Sequence, residues 1–113
     1  MSYEALWLRY FAITVAVELL VAVALLRGEG TLLRRATAVA VANLASHPIV
    51  WFVIARVIPS RSLMILTAES WAIASETVVY VLVFPTMPRT RALGVSAVAN
   101  AASFLTGLVL TRL

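Results

Sequence analysis

The sequence predicts an all-α integral membrane protein: four transmembrane helices arranged as two pseudo-symmetric hairpins in a parallel repeat. Three observations carry that prediction. The 113 residues are 63% hydrophobic and 12% charged, against roughly 25% charged in an ordinary soluble domain, and the mean hydropathy is +1.01. Apolar runs long enough to cross a roughly 30 Å hydrocarbon core take up nearly the whole chain. The stretch AVANLAS at residues 40–46 returns as AVANAAS at residues 97–103.

The spans fall at residues 6–26, 37–55, 63–84 and 92–111, forming a single transmembrane domain over residues 1–113. Glu4 and Arg9 make a poor start for a signal peptide and the apolar run behind them is long, so the first span reads as a retained helix. Between spans stand RGEGTLLRR, RVIPSRS and PTMPRTR, where Gly, Pro, Ser and Arg gather as turn and interface signals. Connections this short force antiparallel neighbours. Pro48 lies inside the second span and removes one backbone hydrogen bond, which predicts a kink that packing around it must accommodate. Trp7, Tyr10 and Tyr80 read as interface anchors, whereas Trp51 and Trp71 fit either an interface or the bundle.

All nine basic residues are Arg, all five acids are Glu, and cysteine is absent. Disulfides, thiolate metal sites and Cys nucleophiles are thereby excluded. The arginines stand singly or in pairs between apolar runs, which reads as topology signalling and not as a nucleic-acid surface. Arg27, Arg34, Arg35, Arg89 and Arg91 flank loops 1–2 and 3–4, and Arg9, Arg56, Arg61 and Arg112 belong to the other side. That bias predicts both termini outside the cytoplasm, and the expected location is the inner membrane of a prokaryote.

A shift of 57 to 58 residues aligns Glu18 with Glu76, Arg34 with Arg91, Asn43 with Asn100 and Ser46 with Ser103. Each half, about 1–56 and about 57–113, is then one hairpin with a Glu in its first helix and Asn-x-x-Ser in its second. Such halves are related by an axis along the membrane normal. Glu18 precedes Arg27 by nine residues, and Asn43 and Asn100 follow Arg34 and Arg91 by nine, a depth of roughly 13 Å at about 1.5 Å per residue. Glu76 is also close to the centre of its span. The four polar groups therefore share the bilayer midplane, where a carboxylate is most costly.

Helical spacing gathers Trp7, Phe11, Thr14 and Glu18 on one stripe, and Asn43, Ser46 and His47 on a second. Glu69, Glu76 and Tyr80 make a third, and Ser96, Asn100, Ser103 and Gly107 a fourth. These stripes should face the bundle interior or a subunit contact. The simplest pairing has Asn43 donating to Glu18 and Asn100 to Glu76, with Ser46 and Ser103 as further donors. Two carboxyls brought together at the axis would titrate as a coupled unit. The repeat fails at His47, which aligns with Phe104, and at Glu69, which aligns with Phe11. Both lie toward the loop 2–3 side, forming a second polar layer and a half-path from the midplane; Tyr80 is the comparable group on the other side.

These features predict a site for protons or a small cation, with proton-coupled movement of a small solute as its extension. Its members are Glu18, Glu76, Asn43, Asn100, His47, Glu69, Tyr80, Ser46 and Ser103. The alternative is a scaffold or accessory subunit whose polar residues are interhelical glue. Neither HExxH nor a Glu-x-x-His pair is present and Ser46 beside His47 makes no catalytic dyad, so neither a metal, a cofactor nor an enzyme is expected. Ala-rich helices that pack closely leave little space inside one chain, so the sequence predicts a homo-oligomer or a larger membrane-protein partner, within the lipid bilayer and without nucleic acid.

Overall fold

The computed structural model describes residues 1–112, the side chains through Thr111. Arg112, counted above for topology, enters by its backbone alone, and Leu113 lies outside the described residues. The described chain is 86% helical and has no strands. It forms α1 (Tyr3–Leu25), α2 (Leu32–Val57), α3 (Arg61–Val83) and α4 (Arg89–Arg112). All four are long and apolar enough to cross a membrane.

The first three helices begin a few residues before their apolar runs, because a hydroxyl cap and not hydropathy sets the first turn. Ser2, Thr31 and Ser60 accept hydrogen bonds from the backbone N–H groups of Ala5, Arg34 and Leu63. In α2, Pro48 supplies no N–H, and the five residues Val50–Ile54 immediately beyond it are π-helical before the helix resumes at Ala55–Val57. The predicted disturbance thus takes the form of a widened turn. Between α1 and α2, Gly28 and Gly30 have φ of +91° and +56°, backbone conformations that glycine adopts without steric cost. At Gly30 a β-carbon would also stand 3.1 Å from Arg34 and 3.4 Å from Phe84.

The helices close into a ring in which α1 packs on α2, α2 on α3, α3 on α4 and α4 on α1. Consequently α1 faces α3, and α2 faces α4, across the diagonals. The outer surface carries Leu8, Leu20, Leu44, Leu66, Leu82 and Leu105, all exposed, while Glu18, Asn43, Ser46, Glu76, Ser96 and Asn100 are buried. This inversion of the soluble pattern is what a hydrocarbon solvent demands.

The two ends of the bundle differ. Near loops 1–2 and 3–4 the interior is solid, packed from Ala22, Leu26, Ala38, Val39, Ala42, Tyr80, Phe84, Met87, Ala92, Val95 and Ala99. Small Ala side chains let the backbones approach there. Arginines fasten the same end. The Arg91 guanidinium bonds Glu29 at 2.9 Å and the carbonyls of Leu25 and Arg27 at 2.9 and 2.8 Å. Arg34 donates to the Val83 carbonyl and lies over the Phe84 ring, and Arg35 reaches the Val23 carbonyl. The C-terminal carbonyls of α1 and α3, which have no partner within their helices, are satisfied in this way.

At the opposite end, where the termini and loop 2–3 lie, aromatic rings stand between α1 and α2. Tyr3 packs on Trp51 and Phe52, Trp7 on Phe11 and Phe52, and Tyr10 on Trp51. Rings of this size do not permit the close approach that alanine allows. A single chain therefore encloses more space than its Ala content predicts: a cavity of about 480 Å³ opens at this end, lined from all four helices. That corrects the expectation of a bundle with little room inside one protomer.

Candidate functional site

The cavity runs inward from Arg61 at the start of α3, past Glu69, to Glu76. Fifteen residues separate its outer and inner markers on α3, a path of about 22 Å. Asn43, Ser46 and His47 of α2 line it, as do Asn100 and Ser103 of α4. Thus seven of the nine residues singled out in the sequence line one cavity. Glu18 and Tyr80, the other two, are fully buried in the protein and do not line it.

Glu76 is 1% exposed, and its Oε2 accepts a hydrogen bond of 2.9 Å from Ser46 Oγ across the α2–α3 contact. Among the described residues its Oε1 has no partner, nor does either carboxyl oxygen of Glu18, Asn43 Oδ1 or the Tyr80 hydroxyl. Glu18 and Glu76 lie within electrostatic reach of one another across the α1–α3 diagonal, and Glu69 and Tyr80 are within reach of both. A cluster of oxygens lacking donors in a dry setting is costly unless a proton or another cation joins it.

The two Asn side chains sit beside the carboxyls assigned to them, Asn43 by Glu18 and Asn100 by Glu76. Their donation differs from the predicted pairing. Asn43 Nδ2 donates to the Val39 carbonyl at 2.9 Å, and Asn100 Nδ2 to the Ser96 carbonyl at 2.8 Å. An amide on a helix finds the carbonyl four residues back at short range, and that local acceptor takes the N–H. Ser46 reaches the Glu of the other hairpin, whereas Ser103 donates to the Asn100 carbonyl of its own helix at 3.1 Å.

His47 and Glu69 both line the cavity, outward of the Glu76 layer. His47 packs between Phe11, 5.3 Å away centroid to centroid, and Trp51, 6.3 Å away, with its Nδ1 unpartnered among the described residues. No group of three or more His, Cys, Asp or Glu side chains among the described residues is placed to hold a metal ion. Sequence reasoning missed the arrangement of Tyr3, Tyr10 and Trp51 as a cavity wall. Their signal was the gathering of aromatics at one end of the first two spans; Tyr10 alone reads as an interface anchor, Trp51 fits either an interface or the bundle, and Tyr3 precedes the first span. Trp71, the other ambiguous tryptophan, is exposed on the outside of α3.

Comparison with known proteins gives no family to which the chain can be assigned: no protein-family model, curated protein or solved structure matches it.

Proposed function

We propose that the protein binds or translocates protons or a small cation in a membrane, with Glu76 as the carboxyl that meets the cavity and Glu18 as its partner in the sealed interior. Proton-coupled movement of a small solute is the natural extension, and the role is not enzymatic. The observation that carries this reading is the position of Glu76: buried to 1% exposure, with one oxygen unpartnered among the described residues, at the inner end of a cavity open at the other end. Buried carboxyls within a membrane span are the usual elements of proton and ion pathways.

The two-hairpin repeat belongs to the same proposal. Arg34 of the first hairpin reaches Val83 at the end of α3, and Arg91 of the second reaches Leu25 at the end of α1. These are equivalent positions under the 57 to 58 residue shift, which supports an axis along the membrane normal. We place the arginine-fastened end in the cytoplasm of a prokaryotic cell and the cavity mouth outside it, following the arginine bias. The chain acts as a homo-oligomer or with a larger partner.

The test is proton flux in liposomes loaded with a pH-sensitive dye. The wild-type protein should dissipate a pH gradient, and Glu18→Gln or Glu76→Gln should abolish that flux while the helical circular dichroism persists. Flux unchanged in both variants, or none in the parent, overturns the proposal. The scaffold alternative is favoured by one contact, Ser96 Oγ to the Ile73 carbonyl at 3.0 Å, a hydrogen bond that ties α4 to α3. It predicts silent Gln substitutions and a stoichiometric partner recovered in mild detergent.

A further inference from the structure

The cavity is far larger than a proton or a bare metal ion requires. At about 480 Å³ it falls within the range of small-molecule sites, roughly 300–1,000 Å³. From its shape and lining we propose that it binds an organic cation: a protonated amine or quaternary ammonium group carried on an apolar or aromatic body.

Three features select that class. Tyr3, Tyr10 and Trp51 line the cavity from α1 and α2, with Met64, Ile65 and Leu108 contributed by α3 and α4. Apolar walls, with aromatic rings among them, accommodate the body of such a molecule. The charged groups along α3 then decide the sign. Glu69 is half-buried on the wall, and Glu76 is almost wholly buried with an Oε1 that has no partner among the described residues. An anion would be repelled by two carboxyls there, and a neutral molecule would bring no positive charge to match them. His47 adds a nitrogen, Nδ1, also without a partner among the described residues. Arg61, the basic residue on the lining, is exposed at the mouth, about 22 Å from Glu76 along α3. A ligand cation seated between Glu69 and Glu76 therefore lies well inside it.

A metal ion would need a cluster of ligands, and the described residues place no three His, Cys, Asp or Glu side chains together. The proposal rests on the reading of Glu76 as the cavity-facing carboxyl, but it concerns binding and does not require flux.

The experiment measures binding by calorimetry to the full chain in nanodiscs, with phenethylamine as the cation, phenethyl alcohol as its neutral counterpart and phenylacetate as the anion. The amine should bind saturably, at least ten-fold more tightly than either comparison compound. Glu69→Gln and Glu76→Gln should each weaken the amine ten-fold or more, and Trp51→Leu several-fold. Glu29→Gln, at the fastened end, should bind as wild type. Glu69 accepts no hydrogen bond among the described residues and is half-buried, so its Gln variant tests the charge even where Glu76→Gln does not fold. Equal binding of the alcohol, undiminished amine binding in Glu69→Gln, or no amine binding by the parent overturns the proposal. Amine binding with no proton flux removes the flux reading alone, and flux without amine binding removes this one.

Discussion

Glu18 and Glu76 stand within electrostatic reach across the α1–α3 diagonal, yet Glu76 lines the cavity and Glu18 is sealed behind it. Two Glu residues that the 57 to 58 residue shift aligns in the sequence thus occupy different surroundings. The aligned serines differ as well: Ser46 donates to Glu76, whereas Ser103 donates within its own helix.

Access to the two positions should differ accordingly. The chain has no native cysteine, so single cysteines report without background. At Ala68 and Gly107, which line the cavity, a cysteine should react with a membrane-impermeant thiol reagent applied on the side of the termini. At Ala22 or Ala99, in the solid end, it should stay unlabelled. Equal labelling at both levels would contradict the one-sided cavity.

Removing the Ser46 hydroxyl should lower stability by about 1 kcal/mol, the scale of an interhelical hydrogen bond in a membrane. Ser103→Ala should cost less, since its bond lies within one helix. Unfolding of the two variants in detergent, compared with wild type, measures the difference. A larger loss from Ser103→Ala would mean that Ser46 does not hold Glu76.

The fastened end makes a graded prediction. Arg91→Ala removes one ion pair and two carbonyl bonds, and should destabilise by about 2 to 3 kcal/mol, because charged donors to otherwise unpaired carbonyls are the stronger kind. Glu29→Gln leaves both carbonyl bonds in place and should cost under about 1 kcal/mol, because the half-buried pair keeps an amide oxygen as acceptor and loses only its charge. Thermal melts at equal detergent concentration decide the order.

Pro48→Ala restores an N–H to α2 and should convert the π-helical turn to regular α-helix. That change rotates Trp51 and Ala55 relative to the bundle. A cysteine at Ala55, which lines the cavity, should then label more slowly than in the Pro48 background. Unchanged labelling would show that the proline does not shape the wall.

Four helices and their order were legible in the sequence because hydrocarbon length and short loops leave few alternatives. The polar residues were legible for the same reason: Glu18, Asn43, Glu76 and Asn100 could not face lipid, and all four are buried. The donor geometry was not. Whether an Asn amide meets a carboxyl or the carbonyl four residues behind it depends on distances of an ångström or less, and helical periodicity does not resolve them. The cavity was hidden for a different reason. Alanine content averaged over a span says that helices pack closely, but Ala22, Ala38, Ala42 and Ala99 serve one end, and Tyr3, Trp7 and Phe52 hold the other apart. His47 and Glu69 stand out in the sequence because they interrupt the alignment of its two halves, and both line the opening.

The arginine contacts at the closed end carry a consequence for how such a chain is assembled. Arg34 finishes a helix of the second hairpin, and Arg91 finishes a helix of the first. The first hairpin made alone keeps Arg35 on Val23 but loses Arg91 from Leu25, and the second loses Arg34 from Val83, so neither keeps every cap of its own helix end. Severed between Val57 and Arg61, the two pieces should persist when co-expressed and be degraded when made singly, because the covalent link is dispensable where the exchange of caps is not.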